Sequence, residues 1–275
     1  MFPIRRPVCS LVLVIALAGA AGLPAPAPAA PPKPNLECGD TVTASARLTQ
    51  DLVACPGDGL VIGAPNVVLD LAGHTISSKP QSEFVAGVRV AGQANVTVRG
   101  GRIEGFNSNV LLNEAPGAKV DQMTLVAAQF AGVSTGVENR ATVQRSVFDN
   151  NVIAINTDAS SNIRLDRNLV HDGAFGISLG NGSDFSITRN LLVGQEFRGI
   201  FVAAGAMDAA LERNVVLNSG QDGIVVNDAT ATLTRNQADG NAANGIAAVD
   251  GVAGGRNSAT NNGGVDCVPA YLCSK

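Results

Sequence analysis

Six residues of this chain have the types that acid–base chemistry needs: Asp149, His171, Asp172, Glu196, Arg198 and Asp222. They fall shortly before successive copies of a short Gly-apolar-x-apolar segment. If those copies stack at roughly 4.8 Å, the six side chains share one stretch of surface. A histidine amid carboxylates can act as a general acid or base, its pKa raised by the negative neighbours. Two carboxylates about 5 Å apart would also suit a retaining glycosidase. The competing reading is a hydrated polar turn.

Two more sets of residues recur in phase. Glu114, Glu138, Asp158, Asp184, Asp208, Asp228 and Asp250 follow the same segment. Carboxylates stacked one coil apart repel unless they splay into water or share a cation. Ca2+, a hard ion that prefers oxygen, is the expected cation, with Asp158, Asp184 and Asp208 as its ligands. Ordinary use of Asp in turns is the alternative. The third set is basic: Arg145, Arg167, Arg189, Arg213, Arg235 and Arg256. A row of guanidinium groups can hold the carboxylates of an acidic polysaccharide as bidentate pairs. The same side chains could instead cover the flank and pair with Asp166 and Glu212.

What must position these residues is a repeat. Gly-apolar-x-apolar recurs as GVRV at Gly87, GVST at Gly132, GISL at Gly176, GIFV at Gly199, GIVV at Gly223 and GIAA at Gly245. NVLL at Asn109 and VIAI at Val152 are read as degenerate copies, which makes the spacing 20–24 residues. A second pattern keeps the same phase: NVTVRGGRI from Asn95, NIRLDRNLV from Asn162, DFSITRNLL from Asp184 and DAALERNVV from Asp208. Apolar and polar residues alternate within short segments separated by Asn, Asp and Gly, which predicts strands and not helices. A coil of this length cannot bury its own Val, Ile and Leu, so coils must stack. The prediction is a right-handed parallel β-helix of about nine coils. Asn168, Asn190, Asn214, Asn236 and Asn257 then fall in one column, a structural ladder satisfying the turn backbone. On the Gly-containing strand the outward residues are read as Arg89, Leu111, Ser134, Ala154, Ser178, Phe201, Val225 and Ala247, a groove floor without Trp or Tyr.

Composition agrees: Trp is absent, Tyr271 is the single tyrosine, and Gly is abundant. Residues 1–20 read as a secretory signal, with Arg5-Arg6 before a short apolar run and small residues at Ala18-Gly19-Ala20. The run is too short to span a bilayer, and Cys9 precedes it, the wrong place for a lipoprotein signal. Residues 21–34 form a Pro/Ala-rich spacer, residues 35–65 an N-terminal cap, 66–264 the solenoid and 265–275 a tail. Loss of Arg5 and Arg6 with the leader would take the formal charge from −4 to −6, which excludes sequence-independent nucleic-acid binding. Exported chains meet oxidising conditions, so Cys38, Cys55, Cys267 and Cys273 are expected to pair. Local pairing, Cys38–Cys55 and Cys267–Cys273, is favoured because the two pairs bracket the repeats.

The segment CGDTVTASARLTQDLVACPGDGLVIGAPNVVLDLAGHTI, Cys38 to Ile76, resembles the start of secreted bacterial β-helix repeat proteins. The coils up to Gly264 resemble the pectin-lyase-like superfamily. That resemblance implies polysaccharide lyases, polygalacturonase-type hydrolases, mannuronan epimerases and pectin esterases, and also non-catalytic copper-associated periplasmic proteins and adhesins. Fold alone does not choose among them. Asn156-Thr157-Asp158 matches the first polygalacturonase motif, but no paired aspartates follow one coil later, and Gly-His-Gly and Arg-Ile-Lys are missing. The Asp-Pro-His-Asp signature of the epimerases is reduced to His171-Asp172.

The expectation is a secreted or periplasmic monomer that binds or acts on an extracellular acidic polysaccharide. If it is an enzyme, a lyase, hydrolase or epimerase is expected. The alternative is a non-catalytic surface or periplasmic module for adhesion or metal handling.

Overall fold

The computed structural model describes residues 35–80, 83–137 and 140–273. The leader and spacer expected over residues 1–34, and Glu138, lie outside them. The described chain is a parallel β-solenoid whose inward side chains decide its path. Each coil contributes one short strand to each of three parallel sheets, here called A, B and C, of eleven, ten and ten strands. Sheet A runs from Asp40–Val42 to Cys267–Val268, sheet B from Ala46–Arg47 to Ala253–Gly255, and sheet C from Leu52–Cys55 to Ser258–Thr260. Among the described residues the one helical element is a short 3-10 turn, Ala270–Cys273, and no helix is long and apolar enough to cross a membrane.

Strands of three residues can bury only their central side chain when the flanking positions face outward. Sheet B does this with Leu69, Val98, Val120, Val143, Leu165, Ile187, Leu211 and Leu233, each 0% exposed and each paired with the next. Phe106, Phe148 and Phe185 are the largest side chains fully buried in the same core. The scarcity of aromatics follows from this narrow interior, where one branched aliphatic residue per strand spans the available width.

The sheets begin earlier than the repeat spacing suggests. Asp40–Val42, Ala46–Arg47 and Leu52–Cys55 pair in parallel with the strands of the next coil. Most of residues 35–65, read above as a cap, is therefore the first coil, and the solenoid has ten coils. At the other end Cys267–Val268 extends sheet A, and Asn257 Nδ2 donates to the carbonyl of Leu272. The disulfides pair locally, Cys38 with Cys55 and Cys267 with Cys273, at Cα separations of 5.4 and 6.1 Å.

One repeat copy sits in a different register from its sequence reading. Val133 pairs with Ile155 and Ile155 with Ile177, which places Ala154, not Val152, opposite Gly132 and Gly176. The coil spacing there becomes even. The outward residue of this coil is accordingly Asn156, while Ala154 is 1% exposed. A two-residue slip along a strand keeps every side chain on its face, so alternation alone cannot detect it.

Candidate functional site

The bend from sheet B into sheet C is a single residue in the left-handed region followed by the Asn column. Arg145, Arg167, Arg189, Arg213, Arg235 and Arg256 hold φ values of 50–59° there. Nδ2 of each asparagine from Asn168 to Asn236 donates to the Oδ1 of the next, at 3.0 Å, and to a strand carbonyl such as Val143 or Leu165. The arginines thus form the expected column, but the charges of Arg145, Arg167, Arg189, Arg213 and Arg235 are already engaged. Arg145 forks onto Asp121, with Nη2 2.6 Å from Oδ2. Arg167 and Arg189 share Asp166, and Arg213 and Arg235 share Glu212. Burial pushes the Asp166 carboxyl up, but hydrogen bonds from Thr188 and Arg189 and the charges of Arg189 and Arg167 more than offset this, so it lies below the usual range. Asp121 is likewise depressed: burial raises it, and Arg145, Gln144 and Lys119 lower it by more. A polymer carboxylate would have to displace these partners.

The acidic set divides. Asp158 directly follows its sheet A strand, and its amide donates to the Thr135 carbonyl of the preceding coil. Asp184 and Asp208 stand later in the coil, in the turn before sheet B, both with positive φ. Asp158 therefore does not stack with Asp184 and Asp208. Asp228 is turned inward, accepting from the Thr230 amide and hydroxyl.

The six acid–base candidates also form two groups, because the corner from sheet C into sheet A separates them. Asp149 and His171 are cross-strand partners at the C-terminal ends of two central sheet C strands, and Asp172 follows in the turn. His171 Nδ1 lies 2.9 Å from Asp172 Oδ2 and 3.5 Å from Asp149 Oδ1. Arg198 and Asp222 immediately precede Gly199 and Gly223 on the sheet A side, with Arg198 Nε 3.8 Å from Asp222 Oδ2. Asp222 Oδ1 accepts from the amide and side chain of Asn244. Glu196 is exposed on the corner itself.

Around Arg198 lies a cavity of about 230 Å3 on the outer face of sheet A, lined by Ile153, Phe175, Ile177, Ser178, Arg198 and Phe201. The guanidinium of Arg198 stands over the Phe201 ring, and its buried Nε donates to no acceptor. Phe175 stacks on Phe197 with ring centroids 4.9 Å apart, and Phe84 meets Phe130 edge-on at 6.2 Å. Asn156 and Ser178, cross-strand partners, continue the floor below Phe201. Sequence reasoning missed this aromatic margin by looking only for Trp and Tyr. Its signal was present: Phe84, Phe130, Phe175 and Phe197 each precede the repeat glycine by one to three residues.

The family model described as right handed beta helix region matches residues 60–190 and again 108–263. The chain belongs to the right-handed β-helix family. No curated protein matches this β-helix. Among solved structures it is similar to the catalytic domain of a GH87 alpha-1,3-glucanase in complex with nigerose, at 10% identity and a TM-score of 0.34. The match covers 83% of this chain and 60% of the other chain. No residue role is transferred at that similarity.

Proposed function

We propose that this β-helix is an exported protein that holds an acidic polysaccharide along the outer face of sheet A, with Arg198 as the anion-binding residue. The observation that carries the reading is the Arg198 guanidinium, which stands over the Phe201 ring and lines an apolar cavity on a side chain that is partly exposed. A guanidinium beside apolar walls pairs more strongly with a ligand carboxylate than one in open water does. The terminal nitrogens, on a side chain that is 39% exposed, would complete a bidentate pair with a uronate. The Phe201 and Phe175 rings offer apolar cover to the C–H face of a sugar. Asn156 and Ser178 offer amide and hydroxyl groups to its hydroxyls. The local disulfides suit an oxidising compartment.

The test is calorimetric titration with oligogalacturonates and with neutral glucan oligomers of equal length. Binding of the acidic series alone, lost in Arg198→Ala, is the expected result. Equal binding of both series, or none, overturns the reading. A second reading, catalysis on the bound polymer, is favoured by one observation: Asp222 lies beside Arg198, where a proton acceptor would be needed. Unsaturated ends read by absorbance, with reducing ends assayed in parallel, would reveal a lyase or hydrolase, and loss of both in Asp222→Asn would assign the group.

A further inference from the structure

We infer that Asp149, His171 and Asp172 form a binding site for a first-row divalent cation, with Zn2+ as the best match. The site lies where two central strands of sheet C end, across the corner from the Arg198 cavity, and it is independent of the polysaccharide reading.

Among the described residues this is the group in which three metal-ligating side chains converge, with Asp149, His171 and Asp172 donor atoms within 4.8 Å of one another. Two carboxylate oxygens approach the same nitrogen: Asp172 Oδ2 at 2.9 Å and Asp149 Oδ1 at 3.5 Å from His171 Nδ1. One Nδ1–H proton cannot serve both at full strength. No lysine or arginine forms an ion pair with either carboxylate among the described residues, so two negative charges share one imidazole. The two separations from His171 Nδ1 have the size of ligand–ligand edges. With bonds of 2.0–2.1 Å, a tetrahedral edge is about 3.3 Å and an octahedral edge about 2.9 Å.

The other histidine shows what a scaffold pair looks like here. His74 Nδ1 meets one carboxylate, Asp51, 3.1 Å away, and the same Asp51 oxygen accepts the Thr75 amide. Asp70 and Asp239 likewise each take a backbone amide, from Ala72 and from Thr260. Among the described residues Asp149 and Asp172 accept no backbone amide through their carboxylates, and what they face in common is the imidazole nitrogen. The positions are also held firmly. Asp149 and His171 occupy paired strands, and Asp172 sits in the left-handed turn that follows, at φ 56°. An imidazole nitrogen with two carboxylate oxygens suits Zn2+ or Mn2+ better than Ca2+, which wants six or more oxygens. Water would complete the coordination.

The experiment uses untagged, metal-stripped protein titrated with ZnCl2 and CaCl2, followed by calorimetry and by Co2+ absorption. One equivalent of Zn2+ should bind, at least tenfold tighter than Ca2+. Affinity should fall at least tenfold in His171→Ala and in Asp172→Asn, while His74→Ala should bind as the parent does. Circular dichroism of each variant separates loss of the site from loss of the fold. Co2+ should give visible d–d bands that disappear with His171→Ala. Zn2+ affinity unchanged in a folded His171→Ala protein, or no binding by the parent, overturns the inference.

Discussion

Arg198 lies over Phe201, with its guanidinium carbon 5.3 Å from the ring centroid, so the cation of the groove rests on an aromatic face with the Asp222 carboxylate beside it. The Asp222 oxygen nearest to it, at 3.8 Å, is too distant for a hydrogen bond to Nε. Arg198→Ala should therefore weaken uronate binding at least tenfold while shifting the melting temperature little. Arg198→Lys should recover only part of the affinity, because an ammonium cannot fork onto a carboxylate. Calorimetry with a uronate oligomer, repeated at high salt, checks both expectations.

The asparagine ladder predicts a different phenotype. Asn214 accepts from the amide and side chain of Asn190 and donates to Asn236 and to the Ile187 carbonyl. Asn214→Ala strands buried donors on Asn190 and should destabilise by about 3 kcal/mol. Urea unfolding of the purified variant measures this, with uronate affinity of the folded protein unchanged.

Acid should act through the depressed carboxylates. The folded pKa values of Asp121 and Asp166 lie below those of the unfolded chain. Their stabilisation is complete above the unfolded value of about 3.9 and is lost as pH falls through the lower folded values. Urea midpoints should thus stay level from neutral pH to about 5 and fall below about 4. Asp166→Asn should reduce stability at neutral pH and show a shallower acid decline than the parent.

Gly176 tests the close approach of coils. A Cβ there would sit 2.2 Å from the Gly199 carbonyl oxygen and 2.4 Å from Leu192 Cδ2. Gly176→Ala should cost about 2 kcal/mol, the scale of overpacking. Ala154→Gly, at the matching position one coil earlier, should cost only about 1 kcal/mol through backbone entropy. Parallel denaturant titrations of the two variants distinguish steric from entropic loss.

Much of the solenoid was legible because its inward residues and its Asn column repeat with one period. Asn168 to Asn257 could be aligned by eye, since each follows an arginine in the same bend. The slip at Val152 was not legible, because a shift of two preserves alternation, and it misplaced Asn156. The first coil was hidden by its sequence: Asp40 stands where the next coils have Leu60, Val88 and Val110, and Ala46–Arg47 is only two residues long. The site suffered from the corner between sheets C and A. His171 precedes its repeat glycine by five residues and Arg198 by one, which puts them on opposite sides of a bend that spacing alone does not reveal.

The even stacking has a consequence for how the chain acquires its shape. Asn168 meets Asn190 across 22 residues of chain, and each later rung repeats nearly the same closure. Loop-closure entropy is then almost constant from one addition to the next, and no long-range event must be awaited. The slow step is formation of the first stacked pair; after it, growth proceeds like a zipper toward either end. The coils from Asn168 to Asn257, which lock a polar rung at every closure, are the natural place for that start.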